Sequence, residues 1–176
     1  SQKCLELPPG LAPVAVSERA LEYMMGMKNR RVPYILDFLI WKKYFDELHD
    51  YHPQPVTGAT SLLRALGWVA EHIVEEGIEN REERFRKAGK SLKAGLAEFG
   101  YSVITDQRYT SPVVTEFMPP EGIFAEDIRE YYKKEHDTMV GFGFRKDDDG
   151  TRLSFRIAHF GLAARQERID HMIDIT

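Results

Sequence analysis

Between Ala59 and Phe99 the chain carries two apolar stripes at helical spacing, separated by Gly77. In the first, Leu62, Leu63, Leu66, Val69, Ala70 and Ile73 recur at near-heptad intervals, which predicts a helix from Ala59 to about Gly77. In the second, Arg81 to Phe99, the stripe is narrower: Phe85, Ala88, Leu92, Ala94, Leu96 and Phe99. The remaining positions of that helix alternate Glu with Arg or Lys at helical spacing and read as a solvated face. Gly100 suits the position just past the helix end. An apolar stripe of this length needs partners to cover it. Residues 59–100 are therefore read as a long helical connection, and the regions on either side must supply what packs against it.

The region after it changes period. Tyr101–Ile104 and Val113–Met118 read as strands, the second closed by Pro119-Pro120-Glu121-Gly122. Ala125–Lys134 reads as a helix with Ile128, Tyr131 and Tyr132 inward, and Met139–Gly143 as a strand or turn. Asp147-Asp148-Asp149-Gly150 is a tight acidic turn that lacks the ligand spacing and final glutamate of a calcium loop, so it reads as a hairpin turn. Arg152–Ile157 alternates polar with apolar and predicts a half-buried strand, with Arg152, Ser154 and Arg156 on one face. Arg165–Ile175 closes the chain as a helix. Residues 101–176 are thus expected to form an α+β domain, an antiparallel sheet with helices on one face.

Residues 1–58 are read as a separate portion. Leu11–Val16 is a short apolar, β-branched run behind the stiff Pro8-Pro9-Gly10 and predicts a buried strand. Lys3, three residues from the chain start, reads by default as a solvated charge, but a lysine at the lip of such a strand can be partly desolvated, which favours the neutral, nucleophilic amine. Ser17 is a candidate N-cap for a helix to about Lys28, with Met24, Met25 and Met27 as adaptable packing. Tyr34–Leu48 reads as one helix whose aromatics belong to a core or a subunit interface. The single cysteine, Cys4, excludes an internal disulfide and points to a reducing compartment, read as the cytoplasm. A net charge of −4 gives no support for nucleic-acid binding, and no apolar run reaches the length of a membrane span. No metal-ligating cluster is read from the sequence.

Ser1-Gln2-Lys3-Cys4-Leu5, followed by Pro8-Pro9-Gly10 and then Ser17-Glu18-Arg19-Ala20, resembles the cofactor-lysine segment of class V aminotransferases of the alanine–glyoxylate and serine–pyruvate (serine–glyoxylate) branch. The resemblance runs over nearly the whole chain. It implies an α/β enzyme of fold type I, similar to aspartate aminotransferase, in which this chain is the C-terminal part. Residues 1–58 would then end the large cofactor domain, and 101–176 would be the small domain. It also implies that Lys3 forms the Schiff base with pyridoxal 5′-phosphate (PLP), with Gln2 near the cofactor phosphate. The chain starts in mid-motif without a methionine, so the half before Lys3, with the pyridine-nitrogen aspartate and the ring-stacking residue, is expected to be missing.

Two more stretches carry the resemblance. Asp50–Thr57 contains Pro53 and Pro55 and is stiff and extended. In the family a loop here crosses the homodimer to the neighbour's cofactor phosphate, which makes Tyr51 and Gln54 candidate cofactor contacts. The family's usual threonine is absent, and Gln54 precedes Pro55 instead. Arg156-Ile157-Ala158-His159-Phe160-Gly161 resembles the motif Arg-Ile-Gly-x-x-Gly, with Ala158 for the first glycine. From the residues alone, Arg156 is an arginine on an apolar strand that needs either an internal ion pair or a ligand carboxylate. The resemblance makes it the anchor of the substrate α-carboxylate and leaves His159 structural.

The expected function is PLP-dependent transamination between a small amino acid (alanine or serine) and a 2-oxo acid (glyoxylate or pyruvate). Two alternatives stay open: a lyase or cysteine desulfurase of the same family, and a non-catalytic α+β interaction module. Desulfurases need a cysteine on a mobile loop, whereas Cys4 is next to Lys3.

Overall fold

The computed structural model describes residues 1–176 and divides the chain into two compact units. One comprises Ser1 and Leu7–Trp68; the other comprises Gln2–Glu6 and Val69–Thr176.

In the first unit the expected strand is not formed. Leu11–Val16 is extended but unpaired, and Val14 is 59% exposed. An apolar run becomes a strand only where a neighbour completes its hydrogen-bond ladder, and every strand of the chain lies in the other unit. Helix α1 spans Glu18–Gly26, with the Ser17 side chain accepting from the Ala20 N–H as expected of an N-cap. The predicted helix 34–48 is interrupted. Tyr34–Leu36 forms a single 3₁₀ turn, and Asp37 then caps α2 (Phe38–Leu48), accepting from the Leu39 N–H and pairing with Arg30. Helix α1 packs on α2. No residue of α1 or α2 is fully buried, and Tyr23, Met25 and Phe45 are 73%, 60% and 67% exposed.

Helices α3 (Thr60–Glu76) and α4 (Ile78–Glu98) meet at Gly77, whose φ of +81° is a left-handed conformation that stops one helix and admits the next. The α4 stripe holds at Phe85, Ala88, Leu92 and Leu96, with Gly89 also buried. It fails at Ala94 and Phe99, both exposed, because the helix turns them away from the sheet.

The second unit is the expected α+β fold. Strands β1 (Ser102–Val103), β2 (Val114–Met118), β3 (Gly141–Phe142) and β4 (Phe155–Ala158) form one antiparallel sheet in the order β1-β2-β4-β3. Thr115, Phe117, Phe155 and Ile157 supply its buried face. They share one core with Leu92 and Leu96 of α4, Ile128 and Tyr132 of α5 (Ala125–His136), and Ile169 and Met172 of α6 (Gln166–Asp174). Tyr131, read as inward, is 48% exposed, since its neighbour Tyr132 takes the core position. The predicted strand 152–157 starts only at Phe155; Arg152 makes a single bridge to Lys146 across the turn at Asp147–Gly150. No helix is long and apolar enough to cross a membrane.

Candidate functional site

The Arg156 end is built on the sheet face opposite the core. In β4, Phe155 and Ile157 point inward, so the period of two turns Arg156 to the other face. There it stands in register with Glu116 of β2 on one side and Gly141 of β3 on the other. Its Nε donates to the Phe142 carbonyl at 2.7 Å, and its guanidinium lies 4.4 Å from the centre of the Phe144 ring. Those two contacts fix the plane of the guanidinium by its inner edge and one face. No carboxylate comes within ion-pair distance of it. Of the two readings left open for Arg156, the internal ion pair is therefore not present.

Next to Arg156 a compact polar cluster forms. Glu116 Oε1 accepts from Ser154 Oγ at 2.5 Å, from the Phe144 N–H at 2.7 Å and from the Arg145 N–H at 3.4 Å. Burial pushes the Glu116 carboxyl upward, but these donors and the Arg156 charge outweigh it and hold its pKa below the usual value. Ser154, expected on an open polar face, is completely buried beneath this cluster. Nothing in the spacing singles out Glu116, one polar residue on an alternating strand.

The lysine end is different from expectation. Lys3 opens a 3₁₀ turn, Lys3–Leu5, and is exposed rather than desolvated. Its φ is +64°, and that of Glu6 is +56°. Left-handed backbone at a non-glycine residue costs about 1 kcal/mol or more and persists only where the surroundings enforce it. Here they do. Glu6 accepts from the Leu162 N–H at 2.6 Å and pairs with Arg81 at 3.1 Å, and Arg81 also donates to the Cys4 carbonyl at 2.7 Å. Glu76 joins Arg81 to Arg84, which donates to the Gly161 carbonyl at 2.6 Å. The turn bearing Lys3 is thereby tied to the loop that follows the strand of Arg156. Gln2, just before it, is exposed. Cys4 is partly buried and lines an apolar pocket with Leu5, Ile78 and Phe85, an environment unlike a mobile desulfurase loop.

Tyr51 and Gln54 belong to the first unit. Tyr51 is 90% exposed, beside His52, whose Nδ1 contacts the Gln54 carbonyl oxygen at 2.7 Å. The Gln54 side chain folds back over Gly58, so that a Cβ there would lie 2.8 Å from its Oε1. His159 is fully buried, with Nε2 2.9 Å from Thr115 Oγ1, a structural placement as expected. No cluster of three or more His, Cys, Asp or Glu is placed to hold a metal.

Over 167 residues the chain is 36% identical to an uncharacterized aminotransferase of Methanocaldococcus jannaschii, an alignment covering 95% of this chain and 42% of that protein. It is 32% identical over 164 residues to a serine–glyoxylate aminotransferase of Arabidopsis thaliana, covering 92% of this chain and 38% of that one. Its homologues are aminotransferases of the alanine/serine–glyoxylate type. The fold agrees. An alanine–glyoxylate aminotransferase from Nostoc sp. superposes with a TM-score of 0.85 at 26% identity, over 99% of this chain and 45% of that one. The chain thus spans less than half the length of these relatives and has the fold of their C-terminal part. No family model matches it.

Proposed function

We propose that the enzyme containing this chain is a PLP-dependent aminotransferase that moves the amino group of alanine or serine to glyoxylate or pyruvate. The observation that carries this reading is Arg156. It is an arginine oriented by a carbonyl and an aromatic ring, lacking an internal carboxylate partner, in the stretch that resembles the family's carboxylate-binding motif. Its planar fork suits two parallel hydrogen bonds to the α-carboxylate shared by amino and keto substrates.

The residues present fit the cofactor. Lys3 offers an exposed primary amine on a turn held in one conformation, with the neighbouring Glu6 carboxylate already engaged elsewhere. Bound PLP supplies the electron sink for chemistry at the substrate Cα. Lys3 would attach it and, once released, carry the proton to and from that carbon. Gln2, Tyr51 and Gln54 are the candidate contacts to the cofactor phosphate; Gln54 has to turn outward from Gly58 to serve. Residues 1–58, 59–100 and 101–176 are proposed as the end of the cofactor domain, the helical connection and the small domain, in a cytoplasmic protein.

A homodimer is proposed from the resemblance of the Asp50–Thr57 loop to the family's cross-dimer loop. Light scattering of the full-length protein at micromolar concentration should give twice the chain mass; a fully active monomer would contradict it. Arg156→Lys tests the function itself. Loss of the fork should lower kcat/KM for amino and keto acids by about 2–5 kcal/mol with the melting temperature nearly unchanged. A structural ion pair would give the reverse pattern.

A further inference from the structure

Arg156 makes no ion pair, although it stands in register with Glu116 and feels that charge; its direct contacts are the Phe142 carbonyl and the Phe144 ring. The Phe142 carbonyl ends β3, whose pairing with β4 holds it, whereas Phe144 stands on the segment that follows, where Arg152 Nη1 donates to the Gly143 carbonyl at 2.9 Å and the Leu153 N–H to the Arg145 carbonyl at 3.1 Å. Phe144 is 74% exposed and packs into no core. Glu116 ties the N–H side of this segment to β2. One oxygen of its carboxylate gathers the N–H groups of Phe144 and Arg145, while Ser154 Oγ donates to the same oxygen from below. The Gly143 N–H completes the turn by donating to the Ser154 carbonyl at 2.8 Å. The wrap is so close that any Cβ at position 143 would collide with Ser154 Oγ and Glu116 Oε1. Successive backbone N–H groups converging on an anion form a concave cradle that is rigid only while the anion is there.

We propose that Glu116 is a positioning residue for substrate carboxylate recognition: its carboxylate folds the Gly143–Arg145 turn into the platform that aims the Arg156 guanidinium. Glu116 touches no substrate. It acts through the turn, and the turn through the Phe144 ring. This rests on the reading of Arg156 as the carboxylate anchor.

The test uses the full-length, PLP-loaded enzyme with four variants. Glu116→Gln keeps an acceptor oxygen for the two N–H groups and the hydroxyl but removes its charge, so the cradle loses its anion. KM for both the amino acid and the keto acid should rise about tenfold, the scale of charge-assisted hydrogen bonds weakened to neutral ones. The kcat should change far less, and PLP content should be unchanged. Phe144→Ala removes an exposed ring and leaves the core intact; KM should rise about two- to fivefold, the scale of an exposed cation–π contact. Phe144→Tyr keeps the ring and should restore KM. The fourth variant, Arg156→Lys, separates the two layers of the argument. If it raises KM while Glu116→Gln and Phe144→Ala leave KM at the wild-type value, the positioning role is refuted and the anchor stands. If Arg156→Lys also leaves KM unchanged, the anchor reading fails and the proposal with it. A Glu116→Gln enzyme that melts lower but keeps wild-type KM in its folded fraction would show a purely structural carboxylate and overturn the proposal.

Discussion

Acidification should destabilise this protein through His159. The imidazole is wholly buried, with Nε2 on Thr115 Oγ1 and no hydrogen-bond partner at Nδ1. The backbone of α4 lies flush against it: a Cβ at Gly89 would come within 2.6 Å of the ring. Burial, with a smaller effect of the Lys93 charge, pushes its pKa down to about 4 from the usual 6.5. The folded state therefore resists a proton that the unfolded chain accepts. The neutral ring's contribution is complete above about pH 6.5 and is lost as pH falls from there toward 4. Integrated with these two values, the loss between about pH 7 and pH 5 is roughly 2 kcal/mol. Glu76 and Glu116, whose folded pKa values are lowered by arginine and hydrogen-bond partners, also lose stabilisation as pH falls. Wild-type slopes alone therefore prove nothing. Urea unfolding of wild type and His159→Gln at several pH values isolates the histidine, because the carboxylates cancel in the difference. The gap between the two proteins should shrink by about 2 kcal/mol from pH 7 to pH 5. Parallel pH profiles would refute the reasoning.

Two further outcomes follow from packing and capping. Gly89→Ala gains helix propensity but drives a methyl group into an imidazole that cannot move, so urea unfolding should show a net loss of about 1–3 kcal/mol. Asp37→Ala removes the acceptor for the Leu39 N–H and the partner of Arg30, and should cost about 1 kcal/mol of thermal stability; an unchanged melting temperature would count against the cap.

The parts of the fold legible in the sequence were those decided by local periodicity. The stripe at Phe85, Ala88, Leu92 and Leu96, the break at Gly77, the acidic hairpin turn and the alternation through Phe155 and Ile157 each depend on spacing alone. What misled was whatever depends on a partner. Leu11–Val16 has strand composition but pairs with no strand of the chain. Tyr131 and Tyr132 are indistinguishable by type, and only the helix phase set by Ile128 decides which one is buried. The Arg156 position was readable from its motif, but its support was not. Glu116 is 40 residues upstream of Arg156, and the three groups on its carboxylate come from Phe144, Arg145 and Ser154. A single sequence does not pair such positions.

The central claim, that Lys3 carries the cofactor of an aminotransferase, has a direct chemical test. Borohydride reduction of the full-length, PLP-loaded protein fixes the cofactor to whichever amine holds it, and peptide mapping by mass spectrometry then locates the label. The account predicts a pyridoxyl group on the peptide containing Gln2-Lys3-Cys4 and on no other. A label on a different lysine, or none in protein that retains its fold, would contradict it.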